Sequence, residues 1–85
     1  MKEFQYTIKD ELGIHARPAG QLVKVAAGFA CNIQVTGPTK KADAKRIMAV
    51  MQLGVKQGHT VTVTCDGADE DAAAAALETF FKENL

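Results

Sequence analysis

Within 85 residues the spacing of apolar side chains switches repeatedly between the period of a strand and the period of a helix. No other feature limits the possible folds as strongly. Phe4, Tyr6 and Ile8 alternate with Glu3, Gln5, Thr7 and Lys9, the pattern of a half-buried strand. The polar segment from Lys9 to Gly13 turns the chain. From Pro18 onward, Ala19, Leu22, Val23, Ala26 and Ala30 recur at helical spacing, and Gly28 offers that helix a place to end. Ile33 and Val35 predict a short strand turned by Gly37-Pro38, and Lys40, Lys41 and Asp43 around Ala42 predict a charged return strand. Ile47, Met48, Val50, Met51 and Leu53 predict a brief helix closed by Gly54. Val61 and Val63, set among Thr60, Thr62 and Thr64, form the clearest strand. Asp69 reads as the N-cap of a last helix with Glu70 and Asp71 on its first turn and Ala73, Ala74, Leu77, Phe80 and Phe81 on its apolar face. The order is strand, helix, strand, strand, helix, strand, helix. With amphipathic helices, it predicts one sheet covered on one face, a two-layer α+β sandwich.

Composition narrows the function. Hydrophobic residues make up 47% of the chain, enough for one core, so a single domain over residues 1–85 is expected. Ten Lys and Arg balance ten Asp and Glu, which disfavours a nucleic acid or an anionic membrane held by bulk charge. Four Phe, one Tyr and no Trp supply little for base stacking. No apolar stretch approaches the roughly 18 residues of a membrane span, and the N-terminus lacks an apolar leader, so the expected location is cytoplasmic. Cys31 and Cys65 are far apart, outside any metal-ligand spacing, and read as two small buried hydrophobes, with a disulfide left open.

Two histidines are present. His59, in Gln57-Gly58-His59-Thr60, reads as an exposed turn residue. His15 follows Gly13-Ile14 and precedes Ala16-Arg17-Pro18, the opening of an amphipathic helix. Amides at a helix start lack intrahelical partners, and the helix dipole favours an anion there. Pro18 has no N–H, so the free donors lie near His15, Ala16 and Arg17, beside a guanidinium suited to phosphate oxygens. A neutral imidazole at this place keeps a nitrogen lone pair facing an electrophilic anion. Phosphoryl transfer mainly needs such positioning and charge neutralisation, without a metal. No carboxylate pair, Ser-His-Asp set, phosphate-binding Gly-rich loop or metal cluster is present to run a full catalytic cycle. The helix start has two readings. Pro18 at the first helical position makes Arg17 the cap; a start two residues earlier makes His15 the cap. Only the earlier start aims the Ala16 and Arg17 amides at the imidazole.

A helix of about two turns cannot bury Ile47, Met48, Val50 and Met51 together. Either Ile47, Val50 and Met51 are core, or Met48 and Met51 stay exposed as an adaptable docking surface. Lys40, Lys41, Lys45 and Arg46 against Asp43 give a net charge of +3 around this helix, while Asp66, Asp69, Glu70 and Asp71 gather negative charge elsewhere. The neutral total hides a polarised surface that would steer an acidic partner.

These residues carry a resemblance. Gly13-Ile14-His15-Ala16-Arg17-Pro18-Ala19, the segment Ile47 to Gly54, and Gly67-Ala68-Asp69-Glu70 resemble the HPr family, the histidine-containing phosphocarriers of the bacterial phosphoenolpyruvate-dependent sugar phosphotransferase system. The resemblance extends over essentially the whole chain. It implies a four-stranded antiparallel sheet with three helices on one face, in the order βαββαβα, and a carrier that is not itself an enzyme. It implies that His15 takes a phosphoryl group on Nδ1 from phosphorylated enzyme I and passes it to IIA components of sugar permeases. Arg17 would be the phosphate partner, and the Ala16 and Arg17 amides would hold phosphate oxygens. Ile47, Met48, Met51 and Gly20, with Ala16 and Arg17, would form the docking face. A cytoplasmic monomer without cofactor or metal, bound neither to nucleic acid nor into a membrane, completes the expectation. One departure stands out: the family usually carries a regulatory serine at the start of the second helix, and Arg46 occupies that position. A guanidinium cannot be esterified, so regulation through a seryl phosphate there is not expected.

Overall fold

A computed structural model describes residues 1–85. Strand β1 (Lys2–Thr7) leads to helix α1 (Ala16–Ala27), then strands β2 (Asn32–Thr36) and β3 (Lys41–Asp43), helix α2 (Ile47–Met51), strand β4 (Thr60–Asp66) and helix α3 (Glu70–Asn84). The strands form one antiparallel sheet in the order β1-β4-β2-β3. Strand β4 therefore enters last and sits between the two strands already laid down, with Val63 opposite Phe4 on one side and Val35 on the other.

Alternation decides the two faces. Ile33, Val35, Ala42, Val61, Val63 and Cys65 point inward and are buried, while Gln34, Thr36, Lys41 and Asp43 on the same strands are exposed. Thr7 and Thr60 join hydroxyls at 2.9 Å among the exposed side chains. The helices cover the other face, where Leu22, Leu77 and Phe81 are fully buried at about 1.5–3 kcal/mol each. Phe81 meets Phe4, Tyr6 and Phe80 edge to face at centroid distances of 5.9, 5.7 and 6.0 Å, which pins α3 over β1.

The elements match the order expected from the periodicity, with adjustments at their edges. Helix α1 ends at Ala27 with Gly28 as its C-cap, so Ala30 lies beyond it and is exposed rather than on its buried face. Strand β1 stops at Thr7, and Ile8 is buried just past it. Leu53 is buried but follows α2 rather than belonging to it, and Gly54 turns the chain at φ +67°. Asp69 stands at the cap position of α3 as expected, but its side chain does not cap the helix. Its carboxylate instead accepts the amides of Ala30 and Cys31 at 2.8 and 2.9 Å, tying the α1–β2 turn to the start of α3. Those amides hold the Asp69 carboxyl below its ordinary value. Cys31 and Cys65 are buried free thiols, and burial pushes Cys65 up to about 11.

Candidate functional site

The segment before α1 is held by contacts that no local pattern announces. Gly13 has φ +69°, and a Cβ there would come within 2.2 Å of the Val55 carbonyl oxygen, so only glycine fits. The same carbonyl accepts the Ile14 amide at 3.1 Å, and Ile14 is buried. His15 follows in an extended conformation, φ −100° and ψ −176°, and is the N-cap of α1. Of the two readings of the helix start, the earlier one therefore holds. Pro18 falls in the first turn, where its missing N–H costs nothing.

This start shapes the electrostatics. The His15 carbonyl accepts the Ala19 amide at 2.9 Å, and the His15 side chain makes no capping bond. The amides of Ala16 and Arg17 donate to no acceptor within the chain, and no acidic residue occupies the first turn. Asp10, His15, Arg17, Pro18, Gln21 and Asn84 line a shallow pocket of about 250 Å³ there. His15 is about one-third exposed, and its Nε2 lies 3.9 Å from Asp10 Oδ1. Arg17 is exposed and makes no ion pair. An imidazole, a free guanidinium and two unpartnered amides thus converge on open solvent, a setting that can receive a tetrahedral oxyanion.

Sequence reasoning picked out His15, Ala16 and Arg17. It missed Asp10, Gln21 and Asn84, because neither spacing nor residue type linked a turn acid, a helix amide and the last turn of α3. His59 is the turn residue expected, though half-buried rather than fully exposed: its Nδ1 accepts the Lys56 amide at 3.0 Å.

Next to this pocket lies an apolar face. Val50 is buried, whereas Ile47, Met48 and Met51 are 42%, 64% and 42% exposed. The core reading of Ile47 and Met51 is thereby overturned: five residues of helix can turn only one side chain fully inward. Gly20 adjoins this face, since a Cβ there would lie 3.7 Å from Ile47 Cδ1. Arg46 is the N-cap of α2, exposed and without a capping bond.

The chain matches the family model described as PTS HPr component phosphorylation site over residues 2–83. A phosphocarrier protein HPr from Lysinibacillus sphaericus is 49% identical over 83 residues, covering 98% of this chain and 94% of that protein. The solved structure of a Mycoplasma histidine-containing phosphocarrier protein superposes with a TM-score of 0.94 at 36% identity, over 96% of this chain and 93% of the other. An HPr from Thermoanaerobacter tengcongensis, solved as a dimer, matches with a TM-score of 0.76 at 42% identity over 98% and 95% of the two chains. The exposed helix-start imidazole and the relatives lead to one assignment: this chain belongs to the HPr family, the phosphoryl carriers of the sugar phosphotransferase system, which relay phosphate without being enzymes themselves.

Proposed function

We propose that His15 is the residue on which this carrier holds its phosphoryl group, through Nδ1. The observation that carries the reading is the start of α1 at Ala16, which leaves the Ala16 and Arg17 amides unpartnered beside an exposed imidazole with no acid on the first turn. Those amides and the Arg17 guanidinium neutralise oxygens of the incoming group, and no metal is needed for that. The donor is phosphorylated enzyme I, and the acceptors are IIA domains of sugar permeases. Both dock on the face of Ile47, Met48, Met51 and Gly20 with Ala16 and Arg17. The exposed methionines support this, being apolar side chains left outside the core and able to repack against different partners. The carrier works as a single domain over residues 1–85, as a cytoplasmic monomer; no helix in it is long and apolar enough to cross a membrane. Arg46 removes the hydroxyl on which a seryl phosphate would form.

Incubation with enzyme I and phosphoenolpyruvate tests the assignment. The expected product is one acid-labile phosphate on His15, absent from His15→Ala, whose unfolding midpoint stays at the wild-type value because the imidazole is not core. Phosphate on His59, or on the His15→Ala protein, would overturn it.

A further inference from the structure

We propose that Asp10 is a positioning residue for phosphoryl transfer: its carboxylate holds the His15 ring with the proton on Nε2, so that the lone pair is on Nδ1. The inference rests on His15 being the phosphoryl acceptor and adds what prepares it. Asp10 lies in the loop between β1 and α1, five residues before His15, and is fixed from several sides. Its amide donates to the main-chain oxygen of Leu85 at 2.9 Å, beside the Lys9 amide on the same oxygen at 2.6 Å, and the Leu85 side chain is buried. Asp10 Oδ1 accepts the Leu12 amide at 2.8 Å. The same oxygen faces His15 Nε2 at 3.9 Å, longer than a hydrogen bond but close enough for its charge to act on the ring. A carboxylate oxygen has room for both donors. His15 is fixed in turn by the buried Ile14 and by its place as the cap of α1.

The arrangement separates the two ring nitrogens. Nε2 faces an anion. Nδ1 has no partner within the chain and stays free for a ligand. A neutral imidazole has one N–H, and the carboxylate favours it on Nε2, the same logic by which a carboxylate orients a catalytic or metal-bound histidine. In the transfer step the Nδ1 lone pair forms the bond to phosphorus, and the bond from phosphorus to the donor atom breaks with its electron pair leaving on the donor. No proton leaves Nδ1, because none is there. Nε2 keeps its proton, and the positive charge that develops on the ring is met by Asp10. Arg17, the cation that shares the pocket with Asp10, meets the phosphoryl oxygens. Return of the phosphoryl group to an acceptor reverses the steps.

Asp10→Asn is the informative variant, since its side-chain oxygen can still accept the Leu12 amide while the charge is gone; Asp10→Ala loses both. Nitrogen-15 NMR of the unphosphorylated protein, at a pH where the ring is neutral, reads the tautomer directly. Wild type is expected to show a larger share of Nε2–H than free histidine, which already favours that tautomer in water, with Asp10→Asn falling back to the free ratio at an unchanged unfolding midpoint. Single-turnover transfer from enzyme I should slow by about tenfold in Asp10→Asn, with the dissociation constant for enzyme I unchanged. An unchanged tautomer ratio, or a rate that falls only in Asp10→Ala together with its stability, would make Asp10 a turn-forming residue and overturn the proposal. Failure of wild type to take phosphate on His15 would instead remove the assignment of the acceptor, which the tautomer measurement does not depend on.

Discussion

The starts of α1 and α3 are the same backbone device put to opposite ends. Each exposes amides that lack intrahelical acceptors, and each concentrates the positive end of a helix dipole. At α3 the first turn carries Glu70 and Asp71, whose negative charge meets the dipole although no side chain caps the helix; Glu70 instead accepts the Gly67 amide, ahead of the helix, at 3.2 Å. Glu70 also pairs with the Met1 amine at 2.8 Å. At α1 the first turn carries no acid, the cap is an imidazole, and the amides stay open to solvent. A helix start becomes structure when acids of its own chain meet its dipole, and a binding site when that charge is left to an incoming anion.

The sharpest way to break that contrast is to give α1 what α3 has. Ala16→Glu places a carboxylate beside the open amides, where it competes with the incoming phosphoryl oxygens. Phosphorylation by enzyme I should slow on the order of 100-fold, the cost of disabling preorganised oxyanion donors. The helix itself should gain about 0.3–1 kcal/mol from the favourable dipole contact, read as a higher denaturation midpoint. A rate equal to wild type would mean that the α1 amides do not meet the phosphoryl group.

The second test concerns the carboxylates gathered around the α3 start, which are bound to groups of the chain itself. Asp69 is held low first by the Ala30 amide and then by Cys31, and Glu70 is held low first by the Met1 amine and then by the Gly67 amide. A depressed carboxyl contributes stability that is present above its unfolded value of about 4 and lost as pH falls through the folded one. The Met1 amine is raised by Glu70, so its share is present below about 8 and fades as pH climbs through its folded value. Urea midpoints from about pH 7 to about pH 2 should fall on the acid side in wild type. In Asp69→Ala the midpoint at neutral pH should be lower and the acid-side fall shallower. The same acid-side slope in both proteins would show that Asp69 does not carry it.

The smallest expected effect concerns α2, whose start, like that of α1, has neither a first-turn acid nor a side-chain cap, but carries a guanidinium at the cap position. Arg46 offers no acceptor and adds positive charge at the positive end of the dipole. Arg46→Ser should raise stability by roughly 0.5–2 kcal/mol in equilibrium unfolding, as a serine cap takes up one amide. Asp43 narrows that gain, because its carboxylate already accepts the Lys45 amide at 2.9 Å in the turn leading into α2. A loss of stability would mean that the guanidinium makes a favourable contact of its own.

Much of the architecture was legible because each element has a local cause. Alternation of Val61 and Val63 with threonines can serve only a strand with one buried face, and Ala73, Leu77, Phe80 and Phe81 can serve only a helix with one buried stripe. The His15 neighbourhood was legible as chemistry for the same reason, since an imidazole, a guanidinium and a proline at a helix start act through bonds within a few residues. Less legible were the features set by partners distant in sequence. Whether α1 began at Ala16 or later depended on Gly13 and Ile14 docking on Val55, forty residues on and across the fold.

The sequence by itself thus determined the order of elements, the residues that face inward and the presence of a phosphate-seeking helix start, all consequences of backbone geometry and side-chain polarity over a few positions. Tertiary structure alone decided that β4 lies between β1 and β2, that Ile47 stays outside with Met48 and Met51, that Asp69 serves Ala30 and Cys31 instead of its own helix, and that Asp10 faces His15. The physical reason is common to all four. A side chain's hydrogen-bond partner and its share of the core go to whichever group the folded chain brings within reach, and that proximity is a property of packing rather than of spacing along the sequence.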